Sequence, residues 1–246
     1  MLARFILSFL IVCILSSNSN AQSFDRKIIP AGQKVSSFSY NLYPSFTDGI
    51  VKLKDGRDIE VKMNFSLTTC EIQFINSKGD TLNLDKLETV DSIYLHGSVF
   101  FYVFKKGYFQ IPNDSLSPVR LAILRKTSYE PVKVGAFGVP ERSSAIENYS
   151  TYNSSIGPVE GLIINVDIYV SCRMNYYFLG KKYANLIEAS KSALMESIPK
   201  KNKEAVEEYI RTNKINFSKE KDLQELLRFC NGLSITKNEV RLLLGS

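Results

Sequence analysis

One histidine serves the whole 246-residue chain, and that scarcity narrows its chemistry before anything else does. His96 stands in the dipeptide His96-Gly97, between two apolar runs. A metal centre built from several imidazoles is excluded. A serine triad would need His96 as its base, yet no GxSxG elbow accompanies it. A Cys–His pair would draw on Cys70, Cys172 or Cys230, and none of these has the local context of a catalytic thiol. His96 reads instead as an exposed turn residue. The phosphate-cradling patterns GxxxxGKS/T and GxGxxG are both missing. Carboxylates are plentiful but evenly scattered, so no facing pair of the kind glycoside hydrolysis uses can be singled out. There is no tryptophan to form a sugar-stacking platform, although 13 tyrosines and 15 phenylalanines can partly substitute. The residues nominate no catalytic group, no metal and no cofactor.

Cysteine spacing points the same way. Of the four cysteines, Cys13 lies in the apolar opening run, and the other three form no CxxC or other metal-ligand pattern. An odd number leaves at least one thiol unpaired or intermolecular. Cys70 and Cys172 fall in strand-like runs and Cys230 takes an apolar helix position. Two readings stay open: three small buried hydrophobes, or a Cys70–Cys172 disulfide beside one free thiol. The formal net charge of +6 is spread along the chain, which suits a solvated surface and not a nucleic-acid groove. Phe100 to Phe109 interleaves aromatics with Lys105-Lys106, superficially a single-strand platform. A β-hairpin with a charged turn is the better account. Lys200-Lys201-Asn202-Lys203 fits a solvated connection between helices.

The elements that must position these groups begin after an address label. Met1 to Arg4 is a short basic start, Phe5 to Leu15 is apolar apart from Ser8, and Ser19-Asn20-Ala21 supplies small residues. That is the pattern of a cleavable secretory signal over residues 1–21. The apolar run is too short to span a bilayer as a helix. Val12 precedes Cys13 where lipid attachment wants a small residue, so lipoprotein processing is disfavoured. No later run approaches the roughly 20 apolar residues that a spanning helix needs.

An N-terminal extension, 22–35, leads to a β domain over 36–174. Asp55-Gly56 between two alternating runs signals a hairpin. Ile59, Val61, Met63 and Phe65 then share one face, with Asp58, Glu60, Lys62 and Asn64 on a wet one. Further strands are expected at 70–75, 81–84, 92–95, 99–104, 108–111 and 119–124, with a long one over 162–174. Residues 135–161 form an irregular loop in which Arg142, Tyr149 and Tyr152 are candidate partner contacts. After Gly180 the period becomes helical. One stripe runs from Tyr183 through Ile187 and Leu194 to Pro199. A second follows Asn202 as cap, and a third, Leu223, Leu226, Leu227 and Cys230, ends at Asn231-Gly232. Thr236 to Leu244 suggests a last short helix. The expected class is α+β: an antiparallel sandwich, meander or open barrel, followed by a helical tail (181–246) of three or four short helices packed on it.

The stretches Gly49-Ile-Val-Lys-Leu-Lys-Asp-Gly56 through Met63-Asn-Phe65, Glu71-Ile-Gln-Phe74 and Gly79-Asp80-Thr-Leu-Asn-Leu84 carry a resemblance. Together they resemble uncharacterised exported β-rich proteins of Bacteroidota. In that group a G-x-V-x-L-x-D-G hairpin opens the β region and a lysine-rich helical tail closes the chain. The resemblance implies envelope localisation and no particular reaction. The sequence therefore predicts an exported protein, periplasmic or extracellular and peripheral to the outer membrane, that is a non-catalytic binding or structural module for an envelope protein or glycan. The alternative is a secreted hydrolase using carboxylates or a cysteine.

Overall fold

The computed structural model describes residues 27–33, 38–112, 119–132, 167–179 and 186–233. Residues 1–21, Arg142, Tyr149, Tyr152 and the expected last helix at 236–244 lie outside the described residues. The architecture is α+β, as the change of period predicts: among the described residues, an 11-stranded antiparallel sheet is followed by three α-helices.

The strands are β1 (Lys27–Ile29), β2 (Thr47–Leu53), β3 (Asp58–Ser66), β4 (Glu71–Ile75), β5 (Thr81–Asn83) and β6 (Val90–Leu95). They continue as β7 (Ser98–Val103), β8 (Gly107–Pro112), β9 (Arg120–Pro131), β10 (Ile168–Leu179) and β11 (Leu186–Glu188). Their order is β1-β10-β9-β8-β7-β6-β2-β3-β4-β5, with β11 on β10. Two meanders, β2 to β5 and β6 to β10, are thus spliced along β2 and β6, where Gly49 faces Leu95.

Local chemistry sets the tight connections. At Asp55-Gly56 the glycine takes φ +91°, and the Asp55 carboxylate accepts the Arg57 backbone N–H at 3.1 Å. His96 and Gly97 both have positive φ, 51° and 74°, the backbone a two-residue hairpin requires. His96 is therefore an exposed turn residue, as expected. Lys105 and Lys106 lie in the turn between β7 and β8.

The sheet curls so that the β3–β4 turn lands on β9. Register places Leu121, Ile123, Arg125, Thr127 and Tyr129 of β9 on one face, opposite Phe178, Tyr176, Met174, Cys172 and Val170 of β10. The Thr127 hydroxyl donates to the Leu67 carbonyl, and the Tyr129 hydroxyl to that of Thr68. Phe65 stacks on Phe100 at 5.6 Å and meets Tyr108 edge-on at 6.3 Å. These rings, with Met63, Ile72 and Ile93, form one buried core.

The helices α1 (Lys191–Ser197), α2 (Lys200–Thr212) and α3 (Glu220–Gly232) cover the other part of the same face. Leu194, Val206, Ile210, Leu223, Leu226, Leu227 and Cys230 pack against Leu121, Ile123, Tyr176 and Phe178. Tyr209 and Phe229 stack at 4.1 Å between α2 and α3. No helix among the described residues is long and apolar enough to cross a membrane.

Three local expectations need correction. Leu186 and Ile187 are not helical but pair with Leu179 and Phe178, because the end of β10 offers unpaired backbone groups. The helix starts only after Ser190, whose hydroxyl accepts the Ala193 N–H at 3.2 Å. Helix α2 begins behind Pro199 and not behind Asn202: Pro199 holds the N-cap position at φ −54°, no side chain caps the first turn, and Asn202 lies within it. Asn64, expected on a wet face, is fully buried. Its amide donates to the carbonyls of Tyr43 and Ser45, both at 2.9 Å, so it replaces a missing strand for that segment.

Candidate functional site

The two coverings of the sheet face border a common seam. Between them lies a cavity of about 490 Å³, within the roughly 300–1,000 Å³ typical of small-molecule sites. Tyr40, Leu42 and Leu67 come from the curled half of the sheet; Phe217 and Ser218 come from the α2–α3 connection. Its floor is β9 and β10, through Arg125, Cys172, Met174 and Tyr176. Arg173 and Glu188 stand exposed along its margin.

Arg125 is the distinctive group. Only 9% of it is exposed, in a position where the strand alternation supplies apolar side chains. Its Nη1 donates to Gln110 Oε1. Gln110 in turn donates through Nε2 to Ser98 Oγ at 2.8 Å and to the Tyr43 hydroxyl at 3.4 Å. Gln110 and Ser98 are each 7% exposed, so the chain of bonds is itself dry. Burial pushes the Tyr43 phenol up, partly offset by its bond to Ser98 and the Arg125 charge.

The guanidinium carries five N–H donors. Among the described residues it has Gln110 as hydrogen-bond partner and no carboxylate within 4.0 Å. Glu220, at the start of α3, feels the Arg125 charge without an ion pair to it. Burial raises the Glu220 carboxyl and the Arg125 charge lowers it, with burial the larger effect. Glu220 Oε1 accepts a bond from Gln224 Nε2 at 2.9 Å. A buried cation without a counter-charge in contact is costly to hold, which makes this floor electropositive.

The thiols are placed differently. Cys70 Sγ lies 3.0 Å from Thr127 Oγ1. The Thr127 proton is committed to the Leu67 carbonyl, so Cys70 is the donor of this pair. Cys172 sits directly opposite Thr127 in the β9–β10 register. The structure therefore brings Cys70 and Cys172 to the same core cluster, with both as free thiols. Cys230 is free and buried beneath the helices. Burial pushes the Cys70 thiol up and raises Cys172 and Cys230 to about 12. These are the surroundings of inert, protonated sulfur, not of a nucleophile.

His96 reaches the same network from outside. Its ring lies 4.5 Å from that of Tyr43, and among the described residues it has no hydrogen-bond partner. No group of three or more His, Cys, Asp or Glu side chains among the described residues could hold a metal ion.

Sequence reasoning missed Arg125 and Gln110. The alternation Leu121, Ile123, Arg125, Thr127 carried the signal, a charge at an apolar-parity position, but the strand was expected to end at Leu124. Compared with known proteins, the chain matches no family model, no curated relative and no solved structure.

Proposed function

We propose that this chain is an exported cell-envelope protein that acts as a non-catalytic binding module for a protein or glycan partner. The observation that carries this reading is the seam cavity, a concave site of ligand size with apolar walls and one buried cation. The export half rests on the basic, apolar and small-residue pattern of residues 1–21. The hydrolase alternative draws little support from the same groups. Cys70, Cys172 and Cys230 are held protonated by burial, and His96 has neither an orienting acid nor a nucleophile bonded to it among the described residues. The test is affinity purification from the native envelope, with co-purifying proteins and glycans identified. A specific protein or glycan recovered in stoichiometric amount is the expected result. Recovery of nothing, together with turnover of a glycan or peptide panel, would overturn the proposal.

A further inference from the structure

We infer that the seam cavity is a carboxylate site: Arg125 anchors the acid group, and the apolar walls take the body of an organic acid. This deepens the binding-module reading and rests on it. The first ground is the state of the guanidinium. It is buried, lines the cavity, spends one N–H on Gln110, and has no ion pair among the described residues. A planar carboxylate accepts two parallel N–H bonds from a guanidinium, the geometry for which arginine is better suited than lysine. The bound acid would thus provide both the missing counter-charge and the missing acceptors.

The second ground is the lining. Leu42, Leu67, Tyr176 and Phe217 offer apolar and aromatic surface, so the ligand needs a carbon body attached to its charge. The lining contains no lysine and only one buried cation, too few donors for a phosphate dianion. Arg173 and Glu188, exposed on the margin with opposite charges, leave Arg125 as the cation of the dry part of the site. Glu220 does not already fill the acceptor role, because it makes no ion pair with Arg125 and its Oε1 is engaged by Gln224.

The experiment compares 3-phenylpropionate with its neutral amide on the purified protein, by calorimetric titration, with inorganic phosphate as a third probe. The acid is expected to bind at least about tenfold more tightly than the amide, the margin of one charge-assisted hydrogen bond. Arg125→Met is expected to abolish that preference. Equal binding of acid and amide to the folded wild-type protein, or no binding of either, overturns the inference. So does phosphate binding as tightly as the acid. The wild-type comparison decides even if the variant does not fold. If the acid preference fails while the envelope partner is still recovered, only the carboxylate anchor falls; turnover without a partner removes the module reading itself.

Discussion

Arg125 should be retained against stability, and a double-mutant cycle with Gln110 measures this. Gln110→Leu leaves the buried guanidinium without its described acceptor and also strips the Ser98 hydroxyl of a donor at 2.8 Å. Leaving a buried charged group unsatisfied costs about 2–4 kcal/mol. Arg125→Met loses the same hydrogen bond but keeps the length of the side-chain stem and removes a desolvation penalty of several kcal/mol. The two effects nearly cancel, so Arg125→Met should fall within about 1 kcal/mol of wild type. The double variant should then be more stable than Gln110→Leu alone, with a coupling energy of about 1–3 kcal/mol. For a chain of this size 1 kcal/mol corresponds to about 2–4 °C, so Gln110→Leu should melt about 4–16 °C low. Urea unfolding followed by circular dichroism gives the free energies, provided the slope with denaturant stays constant. If Arg125→Met costs as much as Gln110→Leu, the guanidinium is a stabilising structural group and its reading as an unpaired functional cation is wrong.

Other outcomes follow from separate features. Cys172 and Cys230, raised to about 12, should react with iodoacetamide at pH 8 on the order of a thousandfold more slowly than a free thiol, and freely once the protein is unfolded; mass spectrometry of labelled peptides checks this, and fast native labelling contradicts it. Gly49→Ala should destabilise by about 1–3 kcal/mol, because its Cβ would stand 2.6 Å from the Met63 methyl and 2.8 Å from the Tyr94 carbonyl oxygen; the methyl can move, the backbone oxygen cannot, and an unchanged urea midpoint would show that β2 has room to shift. Burial raises the Glu220 carboxyl, so folding takes up a proton between its ordinary pKa and the raised one. Stability from this group is present below that window and lost as pH rises through it; Glu220→Gln should flatten the slope, and an identical pH profile for the two proteins would refute the assignment.

The legible parts of the fold were those that local sequence can dictate. The Asp55-Gly56 and His96-Gly97 turns need residues that accept positive φ, and the flanking runs alternate over several residues. The stripe Leu223, Leu226, Leu227, Cys230 needs only helical spacing, and all four side chains are buried in the helical layer. The failures were imposed from a distance. Leu186–Glu188 is too short to declare itself and becomes a strand because β10 runs past it with open backbone groups. Asn64 occupies a position of polar parity, as a wet face would have it, yet the segment at Tyr43 and Ser45 arrives to bury it. No pattern within β3 encodes that arrival.

The site was illegible for a related reason. Its walls come from residues near 40, 67, 125, 174 and 217, which only the curl of the sheet and the placing of the helices bring together. What the sequence did contain was a conflict. Arg125 interrupts an apolar series that continues through Thr127 to the packed face at Val170 and Tyr129. Local consistency is the rule in a foldable sequence, and its violations concentrate where function opposes stability. A charge in apolar register, backed by a glutamine also buried in its strand, is such a violation. Strand-face parity should therefore be carried through charged positions instead of ending a strand at the first of them. Applied to β9, that step places Arg125 on the packed face, between Ile123 under the helices and Thr127 under the curled half of the sheet.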